Sequence, residues 1–309
     1  MRMRVAGGVA CGGVWSDLDR PPLRVWSLRR GLVAPAGDYA AVDVVAETGS
    51  TNGDLAVAVR GGAPDRTVLV AEHQSAGRGR GARTWEAPPR AGLCFSVLLR
   101  PAGVPSARWS WLPLLAGVAL ADAVRTTAEV DAALKWPNDL LVGPAMRKCA
   151  GILAEVVNGG AVVVGVGLNV SQRADELPPG VGATSLAVED AACVDRDPLL
   201  RAALRELSTM ERRWRDHNGD AVASGLREEY RRRCATLGQR VRVRLARDEL
   251  LAGQAIDVDG DGRLVVRDDA GAEHAVSAGD VWHVRPDTPG GPSAPDPGTR
   301  GRITRHEST

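Results

Sequence analysis

Apolar and polar positions alternate, cluster and break along this chain in a way that divides it into four stretches. Residues 1 to 40 are rich in Gly, Pro and Arg, offer one short helical candidate at Trp26 to Leu32, and are expected to form an extension outside the main fold. From Val42 the run "VDVVAE" has strand character, and "STNGDLAVAVR" then starts a helix near Ser50, where Ser, Thr or Asn can cap the first turn. "TVLVAEHQ" (Thr67 to Gln74) and "GLCFSVLLRP" (Gly92 to Pro101) are β-type runs. Trp109 to Thr127 carries helical apolar spacing with hardly a polar face, which predicts a buried core helix. A β-rich block follows: "AALKW", "DLLV", "KCAGILAEVV" and "AVVVGVGLNV". Asn158-Gly159-Gly160 supplies a hairpin turn between the last two. Asp197 to Leu237 is charged with helical periodicity and is expected to close a large domain spanning 41–237.

At Gly238 the rhythm changes to short strands with turn residues between them, "QRVRVRLA", "LLAGQAIDVD", "RLVVRDD" and "EHAVSAGDVWHVRP". This predicts a small antiparallel β-barrel over 238–286. The acids Asp257, Asp259, Asp261 and Asp268 with Gly262 have nearly the spacing of a calcium loop, but both flanks are strand-like, so an Asp-Gly hairpin turn is expected. Residues 287–309 are Pro- and Gly-rich with little to bury, and are expected to be a disordered tail.

Composition narrows the function classes. With 39 Lys plus Arg against 38 Asp plus Glu, no global field marks a nucleic-acid or membrane binder, so any basic function must be local. The longest apolar run is interrupted by Pro113 and too short for a bilayer. Five widely spaced cysteines with no C-x-x-C pair suit a reducing compartment, and a cytoplasmic location is expected. Lys135 and Lys148 are the only lysines in a chain that otherwise writes its cations as Arg. A compact ammonium at those two places suggests a role that a planar guanidinium cannot fill.

Three motifs carry candidate chemistry. Gly77-Arg78-Gly79-Arg80-Gly81 lies between two strands. Its glycines would let backbone N–H groups approach an anion while its arginines supply forked donors; an RNA-binding arginine-glycine segment is the competing reading. "LKWPNDLL" is a tight reversal that sets Lys135 and Asp139 at its two shoulders. In "RKCAGILAEV" and "VVVGVGLNV", Gly151, Gly165 and Gly167 strip side chains from adjoining strands, as where a ligand lies against a sheet, with Lys148 at the rim.

Taken in order, "ETGSTNGDL", "AEHQSAGRGRGARTW", "LKWPNDLL", "RKCAGILAEV" and "VVVGVGLNV" resemble the biotin protein ligases, from about Val42 to Val170 and more weakly to Arg285. The resemblance implies an α+β catalytic domain with a mixed β-sheet flanked by helices, of the kind shared with lipoate ligases and class II aminoacyl-tRNA synthetases, plus the small barrel. It implies that Ser50, Thr51, Asn52 and Gln74 contact biotin and that Gly151, Gly165 and Gly167 line its pocket. Arg78, Gly79 and Arg80 would form the adenylate-binding loop, with Trp85 near the adenine and Lys135 and Asn169 near the nucleotide. Asp139 would help hold Mg2+, and Lys148 would contact the activated carboxyl and phosphate. Arg78, Arg80 and Lys148 are the expected catalytic cations. The chain departs from the family in having Ala82 where Gly is usual, with Gly81 one place earlier. The implied partners are biotin, ATP and the biotin carboxyl carrier domain of acyl-CoA carboxylases. No helix-turn-helix pattern is found in residues 1 to 40, so no sequence-specific DNA binding is expected. A lipoate or octanoate ligase on the same scaffold is the alternative enzyme.

Overall fold

In the computed structural model, the residues described are 19–81, 83–157, 160–179, 182–245, 250–277 and 280–283. Residues 1–18, Ala82, Asn158 and Gly159, and the tail from 284 lie outside them.

The first element, α1 (Val25–Leu32), corrects the expected boundary of the extension. It turns Leu28 and Leu32 into the core, and the chain around it is fastened at several points. Arg20, its side chain 2% exposed, pairs with Glu176 at 2.6 Å and donates to Ser171 O. Leu23 N donates to Glu72 Oε1, Arg196 Nη2 to Pro21 O, and the Tyr39 hydroxyl to Leu204 O. Residues 20 to 40 are therefore part of the main fold. A short segment rich in Pro and Arg has too little apolar surface to show that its anchors come from strands and helices far along the chain.

Next come β1 (Ala41–Val45), α2 (Thr51–Arg60), β2 (Thr67–Ala71), β3 (Gly92–Leu99), α3 (Trp111–Thr127), β4 (Ala132–Lys135), β5 (Asp139–Val142), β6 (Arg147–Val157), β7 (Ala161–Asn169), α4 (Arg196–Asp216) and α5 (Leu226–Arg233). The strands form one seven-stranded sheet in the order β1-β2-β3-β7-β6-β5-β4, parallel only between β1 and β2, so the sheet is mixed as expected. α3 covers one face. Its Gly117 lies so close that a Cβ there would stand 3.2 Å from Leu134 Cδ2 and 3.5 Å from Ile152 Cδ1. α2 covers one end of the other face, where Leu55 and Val59 pack with Leu98, Ala161 and Val163. The rest of that face is left for the site.

β8 (Arg240–Arg244), β9 (Leu250–Val258), β10 (Leu264–Arg267), β11 (Glu273–Val276) and β12 (Asp280–His283) make a five-stranded antiparallel sheet in the order β11-β10-β9-β8-β12. The antiparallel expectation holds. Closure into a barrel is not observed: β11 and β12 form the two edges, and among the described residues no ladder joins them. The sheet still has one apolar interior, with Val241, Val243, Val258, Leu264 and Val266 fully buried. The turn between β9 and β10 is a hairpin, in which Asp259 N donates to Arg263 O and Gly262 takes φ +78°.

That hairpin is the C-terminal unit's foot on the catalytic domain. Trp111 Nε1 donates to Gly260 O at 2.7 Å, and Trp136 Nε1 to Gly262 O at 3.0 Å. A second tie runs from Trp136 N to Thr236 Oγ1 at 3.0 Å, and Thr236 Oγ1 lies 3.1 Å from His283 Nε2. The hydroxyl accepts from Trp136 N and keeps its proton and a second lone pair for His283, so a neutral ring in either tautomer can be its partner. Burial, helped by the charge of Lys135, pushes His283 down from the usual 6.5 to about 4.

Two outcomes follow. The unfolded chain binds a proton at His283 below about 6.5 that the folded chain refuses until about 4, so this stability is present above that window and lost as pH falls through it. Thermal midpoints measured from pH 7 to 4 should fall less steeply for His283→Gln than for wild type; parallel curves would remove His283 from the interdomain tie. Glu72 and Arg196 pair at 2.5 Å with side chains 9% and 6% exposed. Replacing Glu72 by Ala should cost about 3 kcal/mol in urea unfolding, because it strands a buried guanidinium.

Candidate active site

Directly opposed residues of antiparallel strands share a face, so the register places chemistry in rows. One row reads Lys135, Asp139, Gly151, Gly167, Cys94 across β4, β5, β6, β7 and β3. The next, two residues along, reads Leu153, Gly165, Ser96. Three glycines thus fall in the middle of the sheet on the face opposite α3, and they leave a trough. Side chains from outside the sheet come down into it. A Cβ on Gly165 would stand 2.1 Å from Asn52 Oδ1, and one on Gly167 2.3 Å from Trp85 Cε2. Neither glycine can carry a side chain without displacing what covers it. The cleft so formed is lined by the start of α2, the glycine-arginine loop, Asn138, Lys148 and the three glycines.

At one end the walls are polar and tightly wired. Ser50 caps α2, its hydroxyl accepting from Gly53 N. Gln74 Oε1 accepts from Thr51 N at 2.8 Å, Thr51 Oγ1 meets Ser96 Oγ at 2.7 Å, and Ser96 donates to Asn52 Oδ1 at 2.6 Å. Asn52 Nδ2 donates on to Leu153 O and to Glu155 Oε2. The network orients every one of these side chains before any ligand arrives, so little ordering entropy remains to be lost on binding. Cys94 sits below Gln74 and Trp85, and burial pushes its thiol up to about 11.

At the other end, Lys148 Nζ stands 2.7 Å from Asp139 Oδ1. The loop 77–85 closes over the middle. Gly79 N donates to Arg83 O and Trp85 N to Gly77 O, and Arg78 pairs with Thr84 across the strip. Gly77 is required there, since a Cβ would lie 2.3 Å from Trp85 O, and Gly81 turns the tip at φ +65°. Arg80 Nη1 reaches Asn138 Oδ1 at 3.4 Å, and Arg78 Nη2 reaches Glu155 Oε2 at 2.9 Å. The effect of Ala82 falls outside the described residues.

The structure brings Ser50, Thr51, Asn52, Gln74, Arg78, Gly79, Arg80, Trp85, Lys148, Gly151, Gly165 and Gly167 to one cleft. Three of the expected residues have positions that bear on their assigned roles. Trp85, expected beside the adenine, lies on Gly151 and Gly167, the glycines expected to line the biotin pocket. Asn169 is buried away from the cleft lining, donating to Thr184 O and accepting from Gln172. Lys135 also lies outside the lining, at the sheet edge, where its charge bears on His283. Ser96, Asn138 and Glu155 are site residues that the motifs did not pick out. The available signal was a Ser in "LCFSVLL" and a Glu in "ILAEVV", each a polar residue inside an apolar strand that must find a partner.

Residues 60–170 match the Biotin/lipoate A/B protein ligase family, and residues 236–284 match the biotin protein ligase C-terminal domain. The chain is 45% identical over 273 residues to a biotin--[acetyl-CoA-carboxylase] ligase of Mycobacterium tuberculosis, covering 87% of this chain and 98% of that protein. It is 31% identical over 248 residues to the ligase of the same name from Paracoccus denitrificans, covering 77% of this chain and 99% of the relative. A solved Aquifex aeolicus biotin protein ligase, in complex with biotin and ATP, superposes with a TM-score of 0.67 at 25% identity, over 80% of this chain and all of that one. Taken with the glycine trough and its two differently charged ends, these likenesses show that the chain belongs to the biotin protein ligase family.

Proposed function

We propose that the cleft joins biotin to ATP, giving biotinyl-5'-AMP and pyrophosphate, and then passes the biotinyl group to a lysine of a biotin carboxyl carrier domain of an acyl-CoA carboxylase. The observation that carries this reading is the trough itself: a flat, side-chain-free floor with a wired polar wall at one end and an ammonium at the other. A bicyclic ring with a urea edge needs the first, and a carboxylate needs the second. Ser50, Thr51, Asn52 and Gln74 hold the urea edge, with Ser96 behind them. Gly151, Gly165 and Gly167 form the floor, and Trp85 covers it.

A biotin carboxylate oxygen attacks the α-phosphorus and pyrophosphate leaves. Two anions must meet, so Lys148 and Arg80 offset their repulsion and the charge that develops. Mg2+ with ATP fits the donor set, one carboxylate at Asp139 completed by phosphate oxygens; it would neutralise phosphate charge. In the second step the neutral amine of the acceptor lysine attacks the mixed-anhydride carbonyl and AMP leaves. Trp85 and the loop keep water from that carbonyl in the interval. No helix among the described residues is long and apolar enough to cross a membrane.

Lipoate or octanoate as the acid is the second reading, since the matching family spans both chemistries. The polar wall argues against it. A dithiolane or an alkyl tail would cover that wall without using its remaining hydrogen-bonding capacity, which a urea edge matches. An RNA-binding role for the arginine-glycine loop is disfavoured because Arg78 and Arg80 are turned inward on Glu155 and Asn138.

ATP–pyrophosphate exchange should therefore run with biotin and not with lipoate or octanoate; exchange with lipoate alone would overturn the assignment. Lys148→Gln should slow exchange about a hundredfold or more, as the loss of one preorganised charge does, with the biotin dissociation constant nearly unchanged. Gly165→Ala pushes a methyl onto Asn52 Oδ1. It should weaken biotin binding about tenfold by calorimetry while leaving the saturated rate within a few-fold, the signature of a ground-state contact.

A further inference from the structure

One acid at the trough has no part in the reaction above. Glu155 stands on β6 two residues beyond Leu153 and hence on the trough face. Its Oε2 accepts from Asn52 Nδ2 at 2.7 Å and from Arg78 Nη2 at 2.9 Å. A single carboxylate oxygen thus ties together β6, the first turn of α2 and the glycine-arginine loop. The guanidinium of Arg78 is set near the start of α2, where a Cβ on Gly53 would lie 3.9 Å from Nη2. The positive end of the α2 dipole disfavours a cation there, and the Glu155 carboxylate offsets this. Two residues on, Arg80 turns to Asn138 instead. Arg78 and Arg80 therefore go to opposite rims.

We propose that Glu155 is a positioning residue that seats the glycine-arginine loop through Arg78, so that Arg78 fastens the loop over the trough while Arg80 and Lys148 serve the reacting groups. This rests on the adenylating function proposed above. The side chains of Arg78 and Glu155 are 46% and 32% exposed, so the pair is partly screened. Such a pair shifts an equilibrium by roughly twofold to fivefold. That is enough to bias the loop towards its seat and too little to lock it, as a loop that must admit substrates and release product requires.

Trypsin reads the seat directly, because the loop offers it Arg80 and Arg83. Cleavage at Arg80, followed by mass spectrometry without substrates, should be roughly threefold faster in Glu155→Gln than in wild type, at an unchanged thermal midpoint. Arg78→Gln should match it, and the double variant should exceed neither. Preformed biotinyl-5'-AMP should leave Glu155→Gln faster by the same factor. Glu155→Asp, which keeps the charge on a shorter arm, should fall between wild type and Glu155→Gln. Wild-type cleavage in Glu155→Gln, effects of the two substitutions that add, or a faster adenylation step in Glu155→Gln would each overturn the proposal. The last would mean that Arg78, once released, serves the phosphates. The cleavage arm needs neither biotin nor ATP, so it tests the seat even if the adenylating function fails its own test.

Discussion

The rest of the site depends on the missing side chains of Gly151, Gly165 and Gly167. A sheet covered on one face by α3 must bury or solvate its other face, and here that face is bare at its centre. Each glycine in a strand interior costs about 0.5–1 kcal/mol relative to alanine. The cost falls on the β3–β7–β6 ladder, whose long, buried, continuously paired strands can bear it. In exchange, Asn52 and Trp85 descend to the level of the backbone, and a flat ring can lie where strand side chains would stand.

The periphery of the fold acts as a frame for that trough. The segment from Arg20 to Tyr39 is pinned to Glu72, Ser171, Glu176, Arg196 and Leu204, bracing the β1–β2–β3 side. On the opposite side, the turn carrying Trp136 and Asn138 is braced from outside by the C-terminal hairpin through the two indole donors. Asp139 begins the strand that leaves that turn, so the C-terminal unit reaches the reacting end through only a few covalent steps. A structural unit with no side chain on the trough floor can therefore still influence how the carboxylate there is aimed.

Charge is arranged with the same economy. Lys148 is matched by Asp139 and Arg78 by Glu155, which offsets part of the positive charge of the resting cleft. Local pairing keeps flexible cations in place at small energetic cost. It also means that an incoming anion meets a cation only by taking the place of an existing partner, which gives the site a preference for ligands that bring their own counter-charge, as a metal-bound triphosphate does.

By itself the sequence determined the succession of elements, the antiparallel character of the C-terminal unit, the glycine trough and the motifs that surround it. These are local properties: periodicity states which residues share a face with their neighbours two or four positions away, and a glycine in a strand marks a bare spot wherever that strand lies. Tertiary structure alone decided the partnerships. Arg20 finds Glu176 156 residues away, which turns an expected extension into part of the core. Ser96 and Glu155 become site residues only because the registers of β3, β7 and β6 bring them beneath Asn52. Lys135 and Asn169, although inside the site motifs, end up outside the cleft lining, and among the described residues no ladder joins the edge strands of the C-terminal sheet. No local pattern encodes strand order or register, because both are chosen by the packing of the whole sheet against α3 and α4.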